Sequence, residues 1–162
     1  MEKIITFDTA KSLYSYLNKH HVLNKLDLFN NTRPYDLYDE DPHSNVGYVM
    51  LVDNNIAGVA ILEDEYGDGS IYLNHLFEFL PEFRGKGLAQ KLYQYIKDDL
   101  QMDYIHGFVA NESLKQYWTK MGQHCISDIN NEMLEAVSEN ASIDDYINSM
   151  TEDNYKYIYE NN

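Results

Sequence analysis

Residues 2–7 (EKIITF) alternate polar and apolar positions and include β-branched residues, which predicts a first strand. Asp8 or Thr9 then offers a cap, and Leu13, Tyr16 and Leu17 share one face of a helix running to about His21. A looser helical stretch continues to about Asn31, and Arg33–Asn45, polar and carrying Pro34 and Pro42, reads as a loop. Two apolar runs, Gly47–Val52 and Ile56–Leu62, flank Asp53-Asn54-Asn55 and predict a hairpin. A second turn at Glu65–Gly69 leads to a third strand of the meander, Ser70–Leu80.

The period then changes. Leu88, Ala89, Leu92, Ile96 and Leu100 recur at helical spacing and predict an amphipathic helix over Arg84–Leu100. Tyr104–Ala110 reads as a strand, Asn111 or Ser113 as the cap of a helix to Met121, and Gly122 as its stop. Gln123–Ile129 follows as a strand. Glu132–Glu139 and Ser142–Met150 read as two short helices, the second with a capping-box-like Ser142–Asp145, and Tyr155–Tyr159 as a closing strand. The order predicts one α/β domain over residues 1–162, α+β by stricter bookkeeping: a mixed, mostly antiparallel sheet flanked by helices. An acidic helical insertion at 128–153 separates the last two strands.

Length and composition narrow the class. At 162 residues and 44% apolar, the chain can bury a core of its own. Its single cysteine, Cys125, excludes an internal disulfide framework. No long apolar run or leader-like segment is present, so a cytoplasmic protein with no membrane span is expected. The 27 acids against 12 Lys and Arg give a net charge of −15, which repels nucleic acid and attracts cations. Pro34–Glu82 holds eleven acids and no Lys or Arg, yet Arg84, Lys86, Lys91 and Lys97 crowd together just beyond it. That basic island is where chemistry is sought.

The island sits in Leu80-Pro81-Glu82-Phe83-Arg84-Gly85-Lys86-Gly87-Leu88-Ala89, where a strand gives way to a helix. Helix starts offer unpaired N–H groups and positive potential, and glycines let a phosphate approach the backbone. A plain flexible turn is the bland alternative; the scarcity of cations elsewhere favours a phosphate-bearing ligand. A Walker loop is excluded because Gly87, not Ser or Thr, follows Lys86, and a dinucleotide fingerprint because Gln90 stands where a third glycine belongs. No esterase elbow is present. The histidines show no metal-ligand spacing, so no metal is expected.

Arg84-Gly85-Lys86-Gly87-Leu88-Ala89, preceded by Pro81-Glu82-Phe83, resembles the Arg/Gln-x-x-Gly-x-Gly/Ala signature of the GNAT superfamily of N-acetyltransferases. Asp53–Gly58 resembles its second hairpin, and Asn111–Gly122 its Asn-to-Lys-x-Gly helix. The resemblance covers roughly residues 47–125. It implies acetyl transfer from acetyl-CoA to an amine. Backbone amides around Arg84, Gly85, Lys86, Gly87, Leu88 and Ala89 would grip the pyrophosphate. Phe79 and Leu80 would pair with the pantetheine arm where the sheet splays beside Tyr104–Ala110, and Asn111 would hydrogen-bond the cofactor.

The resemblance also asks for a base on the strand before the motif. His75, four residues before Phe79, fits by strand parity, whereas Glu78 points the other way; a structural half-buried histidine is the equal alternative. The family's acid, a Tyr seven residues after Asn111, is replaced by Trp118, which has no acidic proton. Tyr117 lies about 100° round the helix. Both are candidates, Tyr117 as a substitute acid and Trp118 as packing for the cofactor arm, and both read equally as core aromatics. Acids of the expected acceptor walls, Asp36, Asp39, Glu40 and Asp41, then Asp128, Glu132, Glu135, Glu139, Asp144, Asp145, Glu152 and Asp153, suggest a cationic small-molecule amine or a basic protein; a solvated acidic face is the alternative. Tyr155–Tyr159 would suit a homodimer edge. The competing function is a catalytically weak or inactive GNAT-fold protein that binds acetyl-CoA and a basic partner.

Overall fold

The structure is a computed structural model and describes residues 1–27 and 45–150. The fold is mixed α/β. The chain forms two compact units, residues 1–100 and the part from Gln101 onward.

In the first unit β1 (Glu2–Phe7), β2 (Asn45–Val52), β3 (Asn55–Asp64) and β4 (Ile71–Phe79) pair in sequence order, each antiparallel to the next. The turn between β2 and β3 places Asp53 and Asn54 at positive φ, the left-handed pair that a two-residue hairpin prefers. Helix α1 (Ala10–Lys19) starts at Thr9, whose hydroxyl accepts the Ser12 N–H. It lays Ala10, Leu13 and Leu17 on one face of the strands, where Val49, Leu51, Val59, Ile61, Leu76 and Leu80 complete an apolar core. A 3₁₀ turn at Leu23–Lys25 adds Val22 and Leu26 to it. Helix α2 (Leu88–Leu100) takes the other face: Leu88, Leu92, Tyr93 and Ile96 are buried, and Phe77 meets Tyr93 edge to face. Buried Tyr48 donates its hydroxyl to Asp99 at 2.8 Å.

In the second unit β7 (Glu132–Ala136) lies between β5 (Tyr104–Phe108) and β6 (His124–Ser127), antiparallel to both. Helix α3 (Glu112–Lys120) joins β5 to β6, and α4 occupies 143–150. Asn111 caps α3 through the Leu114 N–H, and Ser142 caps α4 through the Asp145 N–H.

Three expectations change. Glu132–Glu139 is not a helix: Glu-Met-Leu-Glu-Ala has good helix formers, but Met133 and Leu134 fill a central strand between two partners, and tertiary pairing overrides propensity. Among its described residues the acidic 128–153 stretch is therefore strand first and helical at 143–150, and Glu152 and Asp153 lie outside the described residues. The helix expected from Arg84 begins at Leu88, because Gly85 and Gly87 both sit at φ 75°. Of the second helical stretch to Asn31, the described part holds the 3₁₀ turn at Leu23–Lys25; residues 28–31, the Arg33–Asn45 loop except Asn45 (which opens β2) and the Tyr155–Tyr159 strand lie outside the described residues.

Candidate active site

The loop between β4 and α2 is held from both ends. Ala57 is an extra residue in β3, since Met50 pairs with Gly58 and Leu51 with Ile56, and its carbonyl accepts the Leu80 N–H at 2.9 Å. Pro81–Phe83 forms one 3₁₀ turn. The Arg84 side chain turns back, donating from Nε to the Phe79 carbonyl at 2.8 Å, with Nη2 3.9 Å from the buried Glu78 carboxylate. Glu78 also accepts the Asp27 N–H. Lys86 lies over the Phe83 ring.

Between these anchors the backbone is open. Gly85 and Gly87 adopt a left-handed conformation that side chains strain to enter, and a Cβ at either would meet no atom within 4 Å. The first bond of the α2 ladder runs from Lys91 N to Gly87 O. Gly87 is thus the cap residue, without a side chain to close the helix start. The N–H groups of Leu88, Ala89 and Gln90 precede the first intrahelical donor. Two left-handed glycines before a helix start make a concave array of N–H donors suited to an oxyanion of phosphate. The cofactor residues expected here fall into two groups. Gly85, Lys86, Gly87, Leu88 and Ala89 form the array. Arg84 braces the loop, and of the expected pantetheine contacts the Leu80 N–H is committed to Ala57, while the Phe79 carbonyl keeps a second lone pair.

His75 requires a correction of geometry. Ile61 pairs with Leu76 and Leu62 with Asn74, so His75 is the extra residue of a bulge in β4. Parity breaks there. Phe77 and Phe79 face α2, whereas Leu76 joins the α1 core, and His75 Nε2 reaches Glu63 Oε2, 2.6 Å away. Glu63 alternates with Val59 and Ile61, which face that same core. His75 therefore lies on the face of Leu76 and Glu78, opposite to Phe79. Glu63, as its partner, escaped the sequence reading, and Glu78, set aside there by parity, is a buried carboxylate beside Arg84. The Glu63 partner follows only from the observed strand register, and nothing in the sequence marks the bulge.

In the second unit Asn111 is the α3 cap, so its Oδ1 is engaged with Leu114 N at 3.0 Å. Trp118 is buried, and its ring meets Tyr117 edge to face at 5.4 Å. Tyr117 is 37% exposed, and burial of the rest raises its phenol above the usual value, which keeps the proton on at neutral pH. Two expected acceptor-wall acids are otherwise occupied. Asp128 pairs with Lys115, which holds its carboxyl below the usual range. Glu132 is buried, accepting from His106 Nδ1 at 3.1 Å and the Tyr146 hydroxyl at 3.2 Å. Asp144 and Asp145 stay exposed in the first turn of α4. Among the described residues no His, Cys, Asp or Glu cluster is fit for a metal, and no helix is long and apolar enough to cross a membrane.

The mixed α/β fold thus hands a strand over, through left-handed glycines, to an uncapped helix start whose backbone N–H groups suit an oxyanion. The chain belongs to the acetyltransferase (GNAT) family, whose profile matches residues 11–123. Solved structures share the fold at low identity. Tetrahymena GCN5 is similar with a TM-score of 0.61 and 14% identity, over 85% of this chain and 96% of that one. The ribosomal-protein-S18-alanine N-acetyltransferase of Escherichia coli gives 0.57 and 12%, over 88% and 100%. N-acetylglutamate synthase of Neisseria gonorrhoeae, solved with coenzyme A and N-acetyl-glutamate, gives 0.54 and 10%, over 85% and 36%. No curated protein matches the chain in sequence.

Proposed function

We propose that the protein is an acetyl-CoA-dependent N-acetyltransferase acting on a primary amine, with a cationic acceptor such as a polyamine, an aminoglycoside-like amine, or a protein lysine or N-terminus. The observation that carries this reading is the open glycine array at the start of α2. Its N–H groups and Lys86 suit the cofactor pyrophosphate, and Asn111, through its amide NH₂, and Trp118 are the candidates for further cofactor contacts. The amine attacks the thioester carbon with its lone pair, the C–S bond breaks, and the electron pair leaves on sulfur. His75, which the bulge turns to the α1 face of β4, is the candidate general base that takes the amine proton. Tyr117, protonated at neutral pH, is the candidate donor to the departing thiolate, which is itself a fair leaving group. The cationic acceptor rests on the net charge of −15 and on exposed acids such as Asp144 and Asp145.

Trp118, buried where the family's acid belongs, favours a second reading: a protein that binds acetyl-CoA and a basic partner with little catalysis. Calorimetric titration with acetyl-CoA, on the wild type and on Gly87→Val, tests the cofactor site. Saturable binding lost in the variant supports it, and no binding at millimolar ligand removes both readings. Release of CoA with spermidine then separates enzyme from binding protein.

A further inference from the structure

Resting on the reading of His75 as base, we propose that Glu63 is its positioning residue: the carboxylate fixes the imidazole as the Nε2–H tautomer and leaves Nδ1 to take the proton of the attacking amine. The two residues stand on neighbouring strands, with His75 Nε2 and Glu63 Oε2 2.6 Å apart. An ionised carboxylate only accepts, so Nε2 must donate, and the lone pair is then on Nδ1. The bulge is what makes the pair. Had β4 kept its alternation, His75 would share a face with Phe79 and Glu63 would have no such neighbour; the extra residue turns the imidazole to the Glu63 side.

Stability gives no comparable reason for the pair. The side chains of His75 and Glu63 are 38% and 24% exposed, and ion pairs in such settings contribute little to folding. Orientation of a base gains far more, because an imidazole in the wrong tautomer presents N–H, not a lone pair, to the amine. The proton moves from the amine nitrogen to Nδ1, giving an imidazolium, and later to solvent. Glu63 carries no proton at any step.

The test combines ring ¹⁵N NMR of His75 with steady-state release of CoA from acetyl-CoA, using spermidine, kanamycin and a lysine peptide as amines. The wild type is expected to show one tautomer, Nε2–H, and Glu63→Ala a mixture. In that variant kcat falls about 10-fold, while the amine KM and the acetyl-CoA Kd stay within about twofold. Glu63→Gln, whose amide oxygen still accepts from Nε2, recovers part of the rate. The proposal is overturned if Glu63→Ala keeps the wild-type kcat or the wild-type tautomer while His75→Ala loses activity, since the base then needs no partner. If His75→Ala itself keeps full kcat, or the wild type releases no CoA with any of the three amines, the base reading fails first and takes the Glu63 role with it. Acetyl-CoA binding, measured separately, tells a cofactor-binding protein from one without the site.

Discussion

The two compact units begin their central helices in opposite ways. After β4, in the first unit, the chain passes through Gly85 and Gly87 at φ 75° and enters α2 with a cap residue that has no side chain. After β5, in the second, Asn111 folds its own Oδ1 onto the Leu114 N–H and closes α3. The interiors differ as well. The α1 side of the first unit is an apolar cluster with the buried Glu78 carboxylate on the same face, whereas the second unit buries a His106–Glu132–Tyr146 network under α4. The contrast teaches how each unit treats polar groups: the first leaves backbone N–H groups open at a helix start, and the second engages three buried side chains with one another. Binding chemistry is therefore sought at the first helix start, and rigidity at the second unit's network.

The strongest way to break this contrast is Glu132→Ala. Removing the shared acceptor takes a hydrogen-bond partner from a buried imidazole and from a buried hydroxyl, and unfolding in denaturant should report a loss of about 3 kcal/mol. Glu132→Gln, which keeps an acceptor, should lose clearly less. Gly87→Val acts on the other unit and in a different quantity. A β-branched residue strains the left-handed backbone and its side chain occupies the concave face, so calorimetry should show acetyl-CoA affinity down by roughly 30-fold, with a stability cost of only about 1–2 kcal/mol. Equal affinities would mean that the glycine turn is only a turn.

Gly58→Ala probes the support of the same loop. The new Cβ would stand 2.5 Å from the Phe79 ring, so about 1–3 kcal/mol of overpacking is expected in thermal melts. Asn111→Ala should cost about 1 kcal/mol, because α3 loses its cap; the equivalent change at Gly87 has no cap bond to remove.

The last prediction concerns alkaline pH. Burial, then the hydrogen bond to Asp99, raises the Tyr48 phenol far above its ordinary value, so the folded state keeps its proton when the unfolded chain would release it. That stability is complete below pH about 10 and declines above it, by about 1.4 kcal/mol per pH unit. Tyr48→Phe should flatten this decline in denaturant titrations between pH 9 and 11, values set by the ordinary phenol range. An unchanged slope would assign the alkaline loss to other groups.

Much of the first unit was legible because its signals are local. The hairpin at Asp53–Asn55, the amphipathic α2 and the Thr9 cap each follow from residues a few positions apart. The glycine loop was legible in kind but not in extent, since helical periodicity ran on to Arg84 and only the φ values stop the helix at Leu88. Glu132–Ala136 was misread because its composition suits a helix, while its neighbours β5 and β6 decide for a strand. Neither the bulge at His75 nor the Glu63 partner has any marker in the sequence: both depend on the register of two strands.

By itself, then, the sequence determined the β2–β3–β4 meander with α1 before it, the β5–α3–β6 run, the acidic field with its basic island, and the glycine-bearing helix start. Tertiary structure alone decided that His75 turns from Phe79 toward Glu63, that Arg84 braces the loop through the Phe79 carbonyl, and that Glu132 is buried on His106 and Tyr146. The physical reason is range: periodicity, caps and turns are set within a few residues, whereas the facing of a side chain on a bulged strand is fixed by hydrogen bonds to a neighbour strand.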